Sequence, residues 1–143
     1  MNIVLFDIDD TLTRSQSIDD EIYLRSLSEV FGFVDVCRDW ASYRHTTDSG
    51  ILREVFDRHL GRAPTAAEVA AFRGHFVAAI AAESRRTPFR QIPGADRVLS
   101  HLSRLPDHGV GLATGGWKDS ARCKMRSAAI HHEAIPCAAA DDA

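Results

Sequence analysis

A continuous apolar run near the N-terminus, Ile3-Val4-Leu5-Phe6, is the feature that most constrains the fold. Because the run does not alternate with polar residues, it predicts a strand buried on both faces, as in a parallel sheet covered by helices. The run ends in Asp7-Ile8-Asp9-Asp10-Thr11, so acidic residues follow directly after the predicted strand. Side chains two positions apart on an extended chain point the same way, so Asp7 and Asp9 are expected to face one small site.

The rest of the chain places strands at its two ends and helices between them. A second strand is predicted at 109–113, running into Thr114-Gly115-Gly116, and a short last strand at 135–139. Helical periodicity and capping signals predict helices over 18–31, 48–60, 66–83, 95–105 and 118–129. We therefore predict an α/β fold with a Rossmann-like parallel sheet core, formed by residues 1–15 and 88–143, and a helical insert at 16–87.

Composition and charge exclude several classes of protein. The 143 residues are 45% hydrophobic and 26% charged, which is typical of a soluble globular domain. A net charge of −3 gives no reason to expect nucleic acid or an acidic membrane as a partner. No apolar stretch is long enough to span a bilayer, and the N-terminus does not resemble a signal peptide. The three cysteines are odd in number and widely spaced, which favours a reducing environment and predicts a cytoplasmic location.

Two carboxylates that face one site need a compensating charge. A hard divalent cation with oxygen ligands provides it, and magnesium (Mg2+) is the usual choice where phosphate is also bound. Asp7 could then attack phosphorus, while Asp9 protonates the leaving alcohol and later activates water. The alternative is that both acids merely cap a solvated loop.

The segment from Ile3 to Leu12 resembles the first motif of the haloacid dehalogenase superfamily, an apolar strand followed by Asp-x-Asp-x-Thr. The resemblance implies that Asp7 is the nucleophile, that Asp9 is the general acid/base and that Thr11 belongs to the phosphate site. An acid at the position of Asp9 is typical of phosphatases and phosphomutases, and it argues against dehalogenases and P-type ATPases. The family also implies a magnesium ion held at Asp7 and Asp9.

The segment after the second predicted strand resembles two further family motifs. Thr114 and Gly115 match the second motif, whose hydroxyl and backbone N–H groups would hold phosphoryl oxygens. The chain has only two lysines, and both follow Thr114. By resemblance to a phosphoglycolate-phosphatase-like subgroup, Lys124 is the lysine of the third motif, and Lys118 is the alternative for contact with phosphate. Both could instead be ordinary surface lysines.

The helical insert resembles the cap that this subgroup carries after its first motif. The segment 47–52 is similar to a Thr-Asp-x-x-Ile-Leu stretch of that cap, although His45-Thr46 replaces its preceding Gly-Arg. The resemblance makes Arg44, Thr47 and Asp48 candidates for contact with the substrate. A purely structural role of Thr47 and Asp48 as a helix N-terminus is equally open.

The resemblance covers residues 2–142 but lacks the family's fourth motif, whose acids complete the magnesium site. We therefore predict that the chain is truncated at its C-terminus. Asp141 and Asp142 could replace those acids, but they align better with the end of the third core strand. Without the strand of the fourth motif, the strand 3–6 becomes an unprotected edge, through which we predict self-association.

Three functions are consistent with these motifs. The first is a phosphatase that acts on a small phosphorylated metabolite, since a capped site suits a small ligand. The second is a catalytically incomplete chain that only binds phosphate or a protein partner. The third is a phosphomutase.

Overall fold

The computed structural model describes residues 1–142 and has the predicted α/β architecture. Its strands are β1 (Asn2–Phe6), β2 (Thr13–Arg14), β3 (Arg90–Gln91), β4 (His108–Ala113) and β5 (Cys137–Ala138). Its α-helices are α1 (Gln16–Phe31), α2 (Asp48–Leu60), α3 (Ala66–Arg86), α4 (Ala95–Leu102) and α5 (Lys118–Ser127). Strands β1, β4 and β5 form a parallel sheet in the order β1-β4-β5, which confirms the predicted fold class.

Among the described residues, strand β1 lies at the edge of this sheet, as predicted, whereas the prediction that it is buried on both faces was wrong. The side chains of Ile3 and Leu5 are 67% and 66% exposed, whereas Phe6 packs against the core. Within residues 1–142, β1 pairs only with β4. The apolar run therefore predicted the strand correctly, but no element among the described residues covers the face of β1 that carries Ile3 and Leu5.

A two-stranded antiparallel ribbon was not predicted from the sequence. Strand β2 pairs with β3, placing Thr13 opposite Gln91 and Arg14 opposite Arg90. The ribbon joins the point where the chain leaves the first strand to the point where it returns toward the sheet. Each strand has two residues, too few to produce a recognisable alternation in the sequence.

Capping signals in the sequence indicated the ends of α1 and α2 and the beginning of α3 correctly. Helix α1 ends at Gly32 and α2 ends at Gly61, and both glycines adopt the left-handed conformation, with φ of 74° and 64°. Helix α3 begins with the predicted capping box, in which Thr65 and Glu68 bond to each other's backbone N–H groups. Short-range rules explain these boundaries, because each cap involves residues at most a few positions apart.

Other elements are shorter than predicted. Helix α4 ends at Leu102, α5 ends at Ser127, and the last strand is reduced to Cys137–Ala138. The segment between α1 and α2 is irregular except for one 3₁₀ turn, Trp40–Ser42. A second 3₁₀ turn, Ala140–Asp142, follows β5.

An aromatic cluster connects the insert to the sheet. The rings of Tyr23, Phe72, Phe76 and Trp117 lie with centroids 5.0–6.3 Å apart, and each of these residues is at most 3% exposed. Helix α3 packs on both α1 and α5, so its apolar face holds insert and sheet layer together. Burial of large aromatic rings is a major source of packing free energy, and it fixes α1 beside the carboxyl end of the sheet.

Candidate functional site

A cavity of about 540 Å³ opens where the loops after β1 and β4 meet the insert. Side chains that follow the carboxyl ends of neighbouring parallel strands lie at the same edge of the sheet, so residues far apart in sequence share this site. The cavity is lined by Asp7, Asp9, Gln16, Asp19, Asp20, Tyr23, Trp40, Thr46, Asp48, Ile51, Thr114, Gly115 and Gly116.

A tight turn after β1 fixes the positions of Asp7 and Asp9. The carbonyl oxygen of Ile8 accepts hydrogen bonds from the N–H groups of Leu12 at 2.9 Å and of Thr13 at 3.0 Å. Asp10 adopts a φ of 55°, a left-handed conformation that aspartate tolerates better than most residues. The turn lets the chain reverse immediately after the strand while both acids stay at its end.

The two acids have different surroundings. Asp7 is exposed, and the only hydrogen bond to its carboxylate within residues 1–142 comes from the Thr11 hydroxyl, which donates to Oδ2 at 3.4 Å. Asp9 is half-buried, and both of its carboxylate oxygens accept hydrogen bonds from Lys124. The side chain of Ser15 also donates to Asp9 Oδ1 at 2.5 Å. Asp7 is therefore the accessible carboxylate and Asp9 the restrained one.

Lys124 is the buried cation of the site. Its Nζ donates to Asp9 Oδ1 at 2.6 Å, to Asp9 Oδ2 at 2.8 Å and to Asp19 Oδ1 at 2.7 Å, and the residue is 0% exposed. Burial opposes its charge, but the carboxylates of Asp19 and Asp9 outweigh burial and raise the pKa of Lys124 above its usual range. Lys124 is thus not a surface lysine, and it bonds to Asp9 and not to Asp7.

Asp19, in the first turn of α1, is a site residue that the sequence analysis missed. It is 8% exposed, and burial raises its pKa to about 6, although Lys124 acts in the opposite direction. A usable signal was present in the sequence, because Asp19 lies three and four residues before the buried Ile22 and Tyr23 and so shares their helical face. A carboxylate on an apolar face needs a partner, and the partner is Lys124.

The loop after β4 supplies Thr114, Gly115 and Gly116, as predicted. The Oγ1 of Thr114 accepts a hydrogen bond from the N–H of Gly116 at 3.1 Å, so its own O–H remains a donor. Gly115 approaches the insert so closely that a Cβ there would lie 2.5 Å from the carbonyl oxygen of Thr46. Only glycine allows this contact without a backbone shift.

Asp48 joins the insert to the same loop. Its N–H donates to the carbonyl oxygen of Gly115 at 2.7 Å, and its Oδ2 accepts from the N–H of Trp117 at 3.0 Å. Asp48 is 8% exposed, and burial, followed by the nearby charge of Asp19, raises its pKa well above the usual range. The N-terminus of α2 therefore packs on the turn that follows β4, and Asp48 lines the cavity at this contact.

The other predicted insert residues do not line the cavity. Thr47 is the N-cap of α2, and its Oγ1 accepts from the N–H of Gly50 at 3.1 Å, which corresponds to the structural alternative. Arg44 is exposed, and its backbone N–H donates to Glu54 Oε2 at 2.9 Å. Thr46, which was not predicted, lines the cavity in their place.

Lys118 and the acids at the end of the chain form a separate group. The Nζ of Lys118 lies 3.3 Å from Asp142 Oδ2, and its N–H donates to Asp141 Oδ2 at 2.7 Å. Asp141 also pairs with Arg73 at 2.6 Å. Neither Lys118 nor the two acids line the cavity, so the structure does not place these residues beside Asp7.

The residues of the cavity fit a magnesium ion only in part. Asp7 offers the carboxylate oxygens that this ion prefers. The carboxylate of Asp9 is already occupied by Lys124, and within residues 1–142 no group of three or more acidic, histidine or cysteine side chains is arranged to hold a metal.

Comparison with known proteins gives the family. The model of the haloacid dehalogenase-like hydrolase family matches residues 1–142, so the chain belongs to that family. No curated protein matches the chain in sequence. None of the helices within the described residues is long and apolar enough to cross a membrane.

Solved structures share the fold at low sequence identity. A hydrolase from Pseudomonas syringae superimposes with a TM-score of 0.73 at 18% identity, covering 99% of this chain and 62% of its own. A mutant of CbbY from Rhodobacter sphaeroides, in complex with xylulose-(1,5)bisphosphate, gives a TM-score of 0.63 at 13% identity, covering 89% of this chain and 56% of its own. CbbY in complex with phosphate gives 0.60 at 16% identity with the same coverage. The chain thus spans about three fifths of the length of these proteins.

Proposed function

We propose that the protein is a magnesium-dependent phosphomonoester hydrolase that acts on a small phosphorylated metabolite through an aspartyl-phosphate intermediate. The convergence of Asp7, Asp9 and Thr114 on one cavity, with Lys124 bound to Asp9, carries this proposal. Membership of a hydrolase family agrees with it, as does the phosphate bound to the structural neighbour CbbY.

In the proposed reaction, Asp7 attacks the phosphorus atom, and the bond from phosphorus to the leaving oxygen breaks. Asp9 gives a proton to that oxygen and then takes one from the water molecule that hydrolyses the aspartyl phosphate. The free O–H of Thr114 and the N–H groups of the glycine turn donate to the phosphoryl oxygens. Magnesium, when bound, would offset the negative charge that phosphate adds to this acidic site.

Lys124 has the role of holding Asp9. Its bonds to both oxygens of Asp9 fix the carboxylate plane, and its burial keeps it from rotating away. In this arrangement Lys124 acts on the general acid/base, while Asp7 stays free to attack.

The decisive experiment is the change Asp7→Asn, assayed with a small aryl phosphate in the presence of magnesium. We expect a loss of turnover of about a thousandfold or more, because an amide cannot act as the nucleophile. Mass spectrometry of the quenched wild-type protein should find a phosphoryl group on the peptide that contains Asp7. The matched control is Asp57→Asn, which removes an exposed carboxylate on α2 outside the cavity. Near-normal turnover of Asp7→Asn would show that the assignment is wrong.

The occupied carboxylate of Asp9 favours a second candidate function, binding of phosphate without turnover. In that case the described residues retain the anion site at Thr114 but lack a complete metal site. Magnesium-dependent hydrolysis by the chain of 143 residues would eliminate this candidate.

A further inference from the structure

A second cavity, of about 500 Å³, is lined by α5 and by the segment that connects this helix to β5. We call it the α5 cavity. It shares no lining residue with the cavity that contains Asp7 and Thr114. Its floor is apolar and consists of four core side chains that are at most 3% exposed: Ile8, Leu112, Ala121 and Met125. The volume is typical of sites for small molecules, so the α5 cavity is large enough for a ligand with an apolar body.

Three cationic side chains line the α5 cavity at a regular spacing. Lys118, Arg122 and Arg126 follow each other along α5 at intervals of four residues, so they lie on one face of the helix, one turn apart. Among the described residues that line this cavity, Glu133 is the single carboxylate. The lining therefore carries more positive than negative charge, and this balance favours an anionic ligand.

The protein's own carboxylates compensate these cations incompletely. Lys118 Nζ lies 3.3 Å from Asp142 Oδ2. Arg126 Nε lies 3.9 Å from Glu133 Oε1, but both side chains are exposed, and such a pair is weak. Within residues 1–142 no carboxylate forms an ion pair with Arg122, and no hydrogen bond reaches its guanidinium group. Arg122 is thus available to a ligand, and a guanidinium group binds a carboxylate or a phosphoryl group through two parallel hydrogen bonds.

A buried histidine of the same cavity has a ring nitrogen without a partner. His132 lines the α5 cavity and is 5% exposed. Its Nδ1 lies 2.8 Å from the carbonyl oxygen of Ile130, which can only accept, so Nδ1 carries the proton. In the neutral ring Nε2 is then an acceptor, and within residues 1–142 this buried atom has no hydrogen-bond partner. A buried acceptor without a partner costs free energy, so a ligand hydroxyl that donates to Nε2 would be stabilised.

We propose that the α5 cavity is a binding site for a small organic anion that has an apolar body and a hydroxyl group. The apolar body covers the floor, the carboxylate or phosphoryl group pairs with Arg122, and the hydroxyl group donates to Nε2 of His132. The site is independent of the proposed hydrolysis, because none of the residues assigned to that reaction lines it.

Four probes that differ by one group each test the proposal. They are para-hydroxyphenylpropionate, its neutral amide, phenylpropionate without the hydroxyl group, and para-hydroxybenzylphosphonate. Binding to the chain of 143 residues is measured by isothermal titration calorimetry. We expect Kd to increase by about tenfold when the carboxylate becomes an amide and by about fivefold when the hydroxyl group is absent. The tighter of the carboxylate and the phosphonate identifies which anionic group the site prefers.

Variants locate the binding of these probes. Arg122→Gln keeps a long helix-forming side chain but removes the charge, and it should weaken binding of para-hydroxyphenylpropionate by about tenfold. The matched control is Arg97→Gln, which removes an exposed arginine on α4 outside the α5 cavity and should leave Kd unchanged. His132→Asn can keep a donor for the Ile130 carbonyl while it removes Nε2, so it should abolish the preference for the hydroxyl-bearing probe.

Several results would overturn the proposal. One is equal affinity of Arg122→Gln and wild type for the anionic probes, and another is equal affinity of wild type for the acid and its amide. Absence of binding by both anions at about 10 mM is a third. Equal affinity of wild type for the probes with and without the hydroxyl group would overturn the role of His132, and this comparison does not require a folded His132 variant.

Discussion

The buried lysine of the site allows one prediction to be worked out in detail. The change Lys124→Met keeps a long unbranched side chain but removes the charge. It eliminates the three hydrogen bonds of 2.6, 2.8 and 2.7 Å that Nζ donates to Asp9 and Asp19. Two carboxylates would then lie close together, with their shared cation gone.

The expected loss of stability depends on how deeply Lys124, Asp9 and Asp19 are buried. The side chains of Asp9 and Asp19 are only 12% and 11% exposed, so water can replace only a small part of the hydrogen bonding that Lys124 provides. Removing one partner from a buried ion pair costs about 3–5 kcal/mol, because the remaining charge stays buried without compensation. We expect about 3 kcal/mol for Lys124→Met, at the lower end of that range, because Asp19 can take up a proton.

The loss should depend on pH in a direction that Asp19 determines. Burial raises the pKa of Asp19 from 3.8 to about 6 in the folded protein, and Lys124 opposes this rise. Without Lys124 the folded-state pKa is higher still. A carboxyl group with a raised folded-state pKa binds more protons in the folded than in the unfolded protein. The free energy of unfolding therefore falls as the pH increases above the pKa that the group has in the unfolded protein. The free-energy loss in Lys124→Met should therefore be larger at about pH 8 than at about pH 5.

Urea denaturation of wild type and variant, followed by circular dichroism, measures this loss. Lys118→Met is the matched control, because Lys118 lies on the same helix but pairs with the exposed Asp142. A surface pair of this kind is worth about 0–1 kcal/mol. If Lys124→Met and Lys118→Met cost the same, or if the loss does not grow with pH, the interpretation of Lys124 as a buried cation between two acids is refuted.

Three further changes probe other parts of the structure. Gly115→Ala should destabilise the protein by about 1–3 kcal/mol, because its Cβ would lie 2.5 Å from the carbonyl oxygen of Thr46. Gly74→Ala, in α3 with nothing within 4 Å of its Cβ, should be stabilising, and similar urea midpoints for both variants would contradict the close contact. Leu5→Lys should reduce self-association through the exposed edge strand, measured by analytical ultracentrifugation, and a monomeric wild type across a wide concentration range would count against this. Thr65→Ala removes the N-cap of α3 and should cost about 1 kcal/mol in the same denaturation assay, whereas an unchanged midpoint would show that the cap contributes little.

The sequence alone predicted those features that depend on neighbouring residues. Both ends of α2 and the beginning of α3 were correct because Thr47, Gly61 and the Thr65–Glu68 capping box act within one turn of helix. The placement of Asp7 and Thr114 at one cavity was also predicted, because parallel strands bring their carboxyl ends to the same edge.

The exposure of β1 could not be predicted from its own apolar run, although its position at the edge of the sheet was predicted. An unbroken apolar run indicates a strand that is compatible with burial on both faces, but whether both faces are covered depends on elements elsewhere. Ile3 and Leu5 are exposed because β1 is an edge strand and no described element covers that face.

The partners of the charged side chains were decided by the tertiary structure. Resemblance to the third family motif favoured Lys124 over Lys118, but only the packing of α1 against the sheet layer shows that Asp19 is its second partner. Lys118 follows the same turn, yet it points to Asp142. Ion pairs between residues far apart in sequence depend on the distance and burial of both groups, and a linear sequence specifies neither until the helices are packed.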